Sequence, residues 1–429
     1  MGLNIENFLN DKLAPGASKA TAFLRVTASD LGSIIKVTPT GKCYNLLIDV
    51  SRSMDEKCRN REGKPIRTQK IDMAKKAAKA FINTLDENSK FCIIIFADYV
   101  QTLVEMTTAT LNNKQYAYKL IDKLEADGGT KMSLALNEVL AQIEKLDGYI
   151  SFCELVTDGE NFEDDNDALK KVLKKCEGKF ICNCWGLGTN YDTSQLKKIS
   201  DALLGKTDAV VEPEKLEDYF RESLAEAQAV GIADAYLRLE FPQSTKIVRV
   251  EQSYPEKVDR LPMTIKKDLC YDVPLGALSD GNRDFLLAFD VEPLPVGKRR
   301  MALRPSVVYS DGDKEIIIPG PPIVVSWSNN RSETSRIDPK VATAEGLGEV
   351  ATLIEQAMEA QKTGNTARTE KLLGTAREEA EKLGHNGTVK LIDTIGTYDK
   401  GKGTVRLKAG NTEAAQRELE ARGSRTMKI

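Results

Sequence analysis

Apolar strand-like runs and amphipathic helix-like segments alternate between residues 43 and 230 of this 429-residue chain. The strand-like runs are 43–49, 91–97, 101–106, 151–157, 180–186 and 208–212. The intervening segments carry apolar helical faces, for example Ile71, Ala74, Ala78, Phe81 and Ile82. Strands that alternate with amphipathic helices form a mainly parallel sheet covered by helices. The pattern therefore predicts a doubly wound α/β domain over residues 43–230.

The segments on either side of this domain have a different pattern. Residues 231–330 form short alternating runs that are broken by Gly, Pro, Asp and Asn, which is typical of an antiparallel β-sandwich. Residues 1–42 contain similar strand-like runs. We therefore expect the N-terminal strands to complete the sandwich, with the α/β domain either inserted in the sandwich or followed by it.

The C-terminal part of the chain is predicted to be helical. Residues 340–384 are rich in Ala, Glu, Lys and Leu, and they predict a hairpin of two helices at about 342–362 and 366–383. Residues 385–429 are rich in Gly and charged side chains, and we expect this tail to be ordered only in part.

Composition excludes several classes of function. The net charge is −3 with both signs well mixed, which argues against a nucleic-acid-binding surface. No apolar stretch approaches the roughly 18 residues of a membrane-spanning helix. The single histidine, His385, removes most Ser-His-Asp and Cys-His catalytic schemes. The eight cysteines lack CxxC spacing and no signal peptide is evident, so we expect reduced thiols in the cytoplasm.

Polar residues cluster where three segments of the predicted α/β domain end or begin. Asp49 closes the first strand, and Ser51 and Ser53 follow it at alternate positions. Thr130 follows two glycines before a predicted helix, and Asp158 closes another apolar strand. Ligands of doubly wound sheets bind beyond the C-terminal ends of the strands, near the point where the strand order reverses. We therefore expect these five side chains to form one site.

The donor set of this site consists of oxygen atoms alone. Two carboxylates and three hydroxyls suit a hard cation, and the absence of His and Cys argues against zinc. We expect Mg²⁺, with Ca²⁺ and Mn²⁺ as alternatives. Ser51, Ser53 and Thr130 would supply direct ligands, while Asp49 and Asp158 would hold waters and hydroxyls through hydrogen bonds. An open coordination position would then attract a carboxylate of a partner protein.

The motifs "DVSRS", "GGT" and "LVTDGEN" resemble the metal-ion-dependent adhesion site (MIDAS) of the von Willebrand factor A (VWA) family. This resemblance places the family's ligands on Asp49, Ser51, Ser53, Thr130 and Asp158. It implies an integrin I-domain-like module that binds an Asp or Glu of a protein partner through Mg²⁺. The family often has Gly between the two serines, where this chain has Arg52.

Three further stretches resemble bacterial cytoplasmic VWA proteins. They are "NDKLAPGA", "VPLGALSDGNRDFLLAFDV" and "GTVRLK". Some members of that group are associated with phosphatase and kinase partners or with stress systems of the tellurium-resistance type. This resemblance implies a similar domain architecture and a non-enzymatic role.

Several alternatives remain open at the level of sequence. Thr130 is also suited to be an ordinary helix N-cap, and Asp158 to be a turn residue before Gly159. A Mg²⁺-dependent phosphotransferase would use Asp49 as nucleophile, but it needs a second Asp where this chain has Ser51. A third alternative is a structural scaffold that acts through its C-terminal helices and leaves the metal site unused.

Overall fold

The computed structural model describes residues 2–31, 41–59, 64–146, 148–212, 215–260, 264–267, 269–311, 314–408 and 413–429. Part of the predicted N-terminal strands, residues 32–40, lies outside the described residues, as do residues 60–63.

The secondary structure is mixed. In chain order the strands are β1 Leu3–Leu9, β2 Lys12–Leu13, β3 Lys19–Ala28, β4 Gly41–Asp49, β5 Lys57–Arg59, β6 Pro65–Gln69, β7 Lys90–Phe96, β8 Val100–Thr108, β9 Tyr149–Thr157, β10 Ile181–Leu187, β11 Thr207–Val210, β12 Ile232–Glu240, β13 Thr245–Tyr254, β14 Val258–Asp259, β15 Thr264–Lys267, β16 Cys270–Leu278, β17 Gly281–Val291, β18 Arg299–Asp311, β19 Lys314–Pro319, β20 Ile323–Trp327, β21 Gly396–Asp399 and β22 Thr404–Leu407. The α-helices are α1 Lys70–Thr84, α2 Leu111–Asp122, α3 Met132–Ile143, α4 Asn166–Cys176, α5 Thr193–Ala202, α6 Leu216–Gln228, α7 Arg331–Thr334, α8 Pro339–Lys362, α9 Thr366–Lys382, α10 Asn386–Ile395 and α11 Glu413–Arg422. Short 3₁₀ turns lie at Arg52–Asp55 and Glu163–Asp165.

These elements group into two compact units. One comprises the described residues of Met1–Val37, Val230–Leu407 and Gly423–Ile429. The other, the α/β unit, comprises those of Thr38–Ala229 and Lys408–Arg422. The domain boundaries that we drew from the sequence stay predictions.

The α/β unit contains a six-stranded sheet of order β11-β10-β9-β4-β7-β8. All neighbours are parallel except β8, which pairs antiparallel with β7 at one edge. The central strand β4 is buried along its apolar run, as expected for a strand covered on both faces. Together with the antiparallel sheets and C-terminal helices described below, this sheet confirms the predicted fold class.

Helices cover both faces of this sheet. On one face, buried side chains of α3, α4 and α5 pack with the strands in a common apolar core. On the other, an aromatic cluster connects the sheet to α1 and α6. Its ring contacts join Tyr44 to Phe81, Phe81 to Phe220, and Phe220 to Trp185. This two-sided covering leaves the strand ends as the place where polar side chains gather.

The unit formed by Met1–Val37, Val230–Leu407 and Gly423–Ile429, called the β-sandwich unit below, contains two antiparallel-rich sheets that share one apolar core. Their orders are β1-β3-β17-β13-β14 and β15-β16-β12-β18-β20-β2, with β19 paired to β18. The N-terminal strand β3 pairs with β17, so Lys19 lies opposite Asp290 and Ala28 opposite Gly281. Chain segments from before and after the α/β unit therefore form the same sheet. Helices α8 and α9 form an antiparallel hairpin, and α10 and the β21-β22 hairpin pack against α9.

Helix α11 belongs to the α/β unit, although it lies near the end of the chain. It packs beside the edge strand β11, and its Leu419 is fully buried. Arg422 forms a bidentate ion pair with the buried Asp208 of β11, with distances of 2.7 and 3.2 Å. Arg417 Nε donates to the Thr189 carbonyl oxygen at 3.0 Å. The predicted tail 385–429 thus supplies a helix that covers one edge of the parallel sheet.

A buried carboxyl group lies inside the α/β unit, away from the strand ends. Glu154 of β9 accepts hydrogen bonds from Asn183 Nδ2, Trp185 Nε1 and Ser223 Oγ, at 3.1, 2.6 and 2.6 Å. Burial raises the pKa of Glu154 to about 7, although the three hydrogen bonds oppose this effect. Between about pH 4.5 and about pH 7, the folded protein therefore holds a proton on Glu154 that the unfolded chain has released.

Glu154 is expected to make the stability of the protein depend on pH. Because its pKa is higher in the folded state, the free energy of unfolding should fall as pH rises from about 4.5 to about 7, by up to about 3 kcal/mol. Glu154→Gln should remove this part of the pH dependence, whereas Glu144→Gln on the exposed surface should leave it in place. Urea unfolding at pH 5 and pH 8 measures both variants. An unchanged pH dependence in Glu154→Gln would contradict the assignment.

Candidate metal centre

The five predicted site residues meet at the C-terminal edge of the parallel sheet. Asp49 is the last residue of β4, and Asp158 directly follows β9. These two strands are parallel neighbours, with Ile48 opposite Val156. The chain runs from β4 to β7 on one side and later returns to β9 on the other, so the strand order reverses here. The two carboxylates therefore lie at the switch point where such sheets bind ligands.

Asp49 fixes the backbone of the loop that carries the two serines. Its Oδ1 accepts a hydrogen bond from the Ser51 amide at 2.7 Å, and its Oδ2 accepts one from Thr157 Oγ1. Since Thr157 belongs to β9, this carboxylate joins the ends of both central strands. Asp49 is fully buried, so its contribution is to hold these two protein groups in place beneath the surface.

Asp158 orients the second serine. Ser53 Oγ donates to Asp158 Oδ1 at 2.7 Å, and the Ser51 and Ser53 hydroxyl oxygens lie 3.2 Å apart. Because the Ser53 proton is directed at Asp158, the oxygen lone pairs stay available to another ligand. This is the arrangement expected of a hydroxyl that coordinates a cation while a carboxylate holds it in place.

Thr130 reaches the same place from a third segment. A Cβ atom at Gly159 would lie 2.9 Å from Thr130 Oγ1, 3.7 Å from Ser53 Oγ and 3.8 Å from Asp49 Oδ2. Three of the predicted oxygen donors therefore face one small space that any side chain at position 159 would enter. The structure thus brings the predicted residues together, while their roles as metal ligands stay predictions.

The alternative role of Thr130 as a helix N-cap does not match the structure. Helix α3 begins at Met132, and its N-cap is Lys131. The first amides of the helix are capped from another loop, because Met132 N donates to Asn161 Oδ1 and Ser133 N to Asp165 Oδ2. The Thr130 hydroxyl is therefore not used for capping.

Burial determines the ionisation of both carboxyl groups. It raises the pKa of Asp49 to about 7; hydrogen bonds from Ser51 and Thr157 oppose the shift, and the charge of Asp158 adds to it. Burial also raises the pKa of Asp158, against the effect of the Lys70 ammonium and the Ser53 hydrogen bond. Two buried carboxyl groups side by side favour the arrival of positive charge.

Lys70 is a member of this cluster that the sequence analysis missed. It is the first residue of α1, and only 6% of it is exposed. Its Nζ lies 2.6 Å from Asp158 Oδ2 and 2.8 Å from Glu56 Oε2. Burial lowers the pKa of Lys70, but the charges and hydrogen bonds of Asp158 and Glu56 outweigh this, and the pKa is raised. A lysine at a helix start carries no sequence signal for such a position.

The rim of the site carries charged and aromatic side chains. Arg52 and Asp127 form an exposed ion pair at 3.3 Å. Phe162 is 43% exposed, and its ring lies against Gly129, where any Cβ would overlap it. Tyr99 is also exposed, in the turn between β7 and β8. These side chains give the region around the site both polar and apolar surface.

The chemistry of the donor set fits a hard cation. Within the described residues, no group of three or more His, Cys, Asp and Glu side chains comes together as a metal site. An ion at this position would therefore depend on the hydroxyls of Ser51, Ser53 and Thr130, with the two carboxylates behind them. Hydroxyl and carboxylate oxygens are ligands that Mg²⁺, Ca²⁺ and Mn²⁺ accept.

The geometry does not favour Asp49 as a phosphotransferase nucleophile. Both of its carboxylate oxygens accept hydrogen bonds from the protein, and the side chain has no exposed surface. Such a nucleophile would also need a lysine held beside it, whereas Lys70 bonds Asp158 and Glu56.

Comparison with known proteins defines the class of the α/β unit. Residues 62–208 match the family model of the von Willebrand factor type A domain. This range includes Thr130 and Asp158 and begins after the Asp49–Ser53 motif. The unit therefore has a VWA fold, of a type that commonly mediates protein–protein interactions.

Two solved structures resemble the chain over nearly its whole length. A von Willebrand factor type A protein from Catenulispora acidiphila is 26% identical, with a TM-score of 0.91 over 100% of this chain and 97% of that one. The ArnB paralog VWA2 from Sulfolobus acidocaldarius is 14% identical, with a TM-score of 0.62 over 99% and 98%. The latter shows a similar fold alone. No curated protein matches the chain.

The part of the chain that the structure describes contains no helix long and apolar enough to cross a membrane.

Proposed function

We propose that this protein is a divalent-metal-dependent protein-binding module. The observation that carries the proposal is the convergence of Ser53 and Thr130 hydroxyls on the space beside Gly159, with Asp158 holding the Ser53 proton. Such hydroxyls keep their lone pairs for a cation, and Mg²⁺ is the ion that suits them best, with Ca²⁺ and Mn²⁺ as alternatives.

The ion, when bound, would supply a Lewis-acid position for a carboxylate of the partner. Asp49 and Asp158 have protein partners on their oxygens, so most of the direct protein ligands are neutral hydroxyls. A cation with few charged ligands attracts an additional carboxylate. We therefore propose an Asp or Glu side chain of a protein as the ligand, in a MIDAS-type interaction without catalysis.

The rim would determine which carboxylate-bearing partner binds. Arg52 with Asp127 supplies charge, and Phe162 and Tyr99 supply exposed aromatic surface. Aromatic side chains are common anchors in protein interfaces. Seven of the eight cysteines are buried, which suits reduced thiols, and we propose the cytoplasm. A role in stress systems of the tellurium-resistance type stays a prediction.

Calorimetric titration of metal-stripped protein with Mg²⁺, Ca²⁺ and Mn²⁺ tests the proposal, with Gly159→Ala as the decisive variant. The added Cβ would lie 2.9 Å from Thr130 Oγ1 and must displace this hydroxyl. Gly159 does not have a positive φ, so alanine fits its backbone. We expect one-site binding in the wild type and affinity weaker by about tenfold or more in the variant.

A matched control is Gly387→Ala in α10, where the added Cβ would meet only His385 Nε2 at 3.9 Å. It should leave metal affinity unchanged. Equal affinities in wild type and Gly159→Ala would contradict the assigned site. No binding of any of the three ions to the wild type would favour the alternative scaffold, in which the C-terminal helices of residues 340–384 contact the partner.

A further inference from the structure

Lys70 lies in a position that its own helix does not favour. It is the first residue of α1, and the N-terminus of a helix carries partial positive charge that repels a cation. Its side chain is also almost completely buried, which disfavours a charged ammonium. Two carboxylates, those of Asp158 and Glu56, compensate for both effects. The location of Lys70 is therefore explained by these carboxylates, one of which belongs to the proposed metal site.

The Lys70 ammonium limits Asp158 to accepting hydrogen bonds from protein groups. One carboxylate oxygen of Asp158 accepts from Ser53 at 2.7 Å, and the other accepts from Lys70 at 2.6 Å. With both oxygens bonded, Asp158 serves as a hydrogen-bond acceptor that holds Ser53. The positive charge of Lys70 also neutralises the negative charge that would otherwise attract a cation to the site. Glu56 has a largely exposed side chain, so its charge is screened by solvent more than that of Asp158.

We propose that Lys70 is the residue that sets the cation affinity of this site. Its ammonium keeps Asp158 from direct ligation and weakens the binding of any divalent ion. The site consequently holds its ion more firmly once a partner carboxylate supplies the missing negative charge. This inference deepens the proposed function and rests on it for the identity of the site.

Titration of metal-stripped full-length protein with Mg²⁺ alone tests the inference in Lys70→Met and Lys70→Gln. Methionine removes both charge and hydrogen bond, whereas glutamine removes the charge and retains a donor for Asp158. We expect both variants to bind Mg²⁺ about tenfold more tightly or better than wild type, because a nearby positive charge has been removed. They should also gain more thermal stability on addition of Mg²⁺. Unchanged or weaker binding in the folded variants would overturn the inference.

Two further variants test whether the gain in affinity depends on Lys70 itself and acts through Asp158. Lys79→Met removes a lysine of the same helix that pairs with Asp122 at the surface, and it should bind Mg²⁺ like the wild type. The second variant combines Lys70→Met with Asp158→Asn. It removes both buried charges, so no buried carboxylate is left without its cation. This double variant should lose the gain in affinity. If it stays as tight as Lys70→Met, the effect does not act through Asp158 and the inference is wrong.

The outcomes separate this inference from the proposed function. Metal binding by Lys70→Gln but not by the wild type would support the role of Lys70 and contradict the one-site binding of free Mg²⁺ that we expect of the wild type. Binding by the wild type with no gain in either variant would contradict the role of Lys70 alone. Absence of binding in all of them would contradict both.

Discussion

Asp49→Ala is expected to lower the affinity for Mg²⁺ by about 100-fold, the upper end of what loss of a supporting carboxylate causes. Asp49 is the acceptor for both the Ser51 amide and the Thr157 hydroxyl. Without it, the Ser51 amide loses its acceptor and the loop that carries Ser51 and Ser53 loses its carboxylate link to Thr157 of β9. Two hydroxyl ligands are therefore misplaced at once, and a negative charge is lost. Calorimetric titration with Mg²⁺ measures the effect directly.

Asp127→Ala is the matched control for this variant. Asp127 is a carboxylate of the same rim, but it is exposed and pairs with Arg52. Its removal should leave Mg²⁺ affinity unchanged at physiological salt, since exposed charges are screened. If Asp49→Ala binds Mg²⁺ as tightly as wild type, the oxygen cluster at the ends of β4 and β9 is not the metal site.

The fold of the α/β unit was predictable because its signal is local. Each buried parallel strand appears in the sequence as a continuous apolar run, and each covering helix as a periodic apolar face. The antiparallel direction of β8 has a different signal, because only three residues separate the apolar runs 91–97 and 101–106, too few for the crossover that a parallel pair requires. Helix α11 was missed. Its glycine-rich and charged surroundings suggested a tail ordered only in part, whereas Leu419 is buried and Arg422 pairs with Asp208 of β11.

The candidate site was predictable where its residues close a strand, follow a strand or precede a helix. Asp49 and Asp158 are abrupt polar stops after apolar runs, and topology brings such stops together. Lys70 and Thr157 have no comparable signal. Each contributes through a partner distant in sequence, Lys70 through Asp158 and Thr157 through Asp49, and such partners appear only once the tertiary structure is known. The sequence therefore predicted candidate ligands and missed groups that position or neutralise them.

Arg25→Met is expected to destabilise the β-sandwich unit by about 3–5 kcal/mol, the range seen when one partner of a buried ion pair is removed. Arg25 and Asp284 are directly opposite each other on β3 and β17. Their bidentate contacts measure 2.8 and 2.6 Å, and Asp284 has no exposed surface. The variant leaves a buried carboxylate without its cation. Hydrogen exchange of the β3 and β17 amides measures the loss locally, which suits a chain with two compact units.

Arg25→Met combined with Asp284→Leu is the informative control, because apolar replacement of both partners removes the unpaired charge. Such replacements are often neutral or stabilising, so the double variant should recover most of the protection against exchange. Recovery would show that the ion pair adds little net stability to the sheet. Its main role would then be to specify that β3 pairs with β17. Equal destabilisation in both variants would instead show that Arg25 acts through different contacts, such as its position over the Phe23 ring at 5.4 Å. The pairing of β3 with β17 would then depend on the apolar side chains that the two strands bury together.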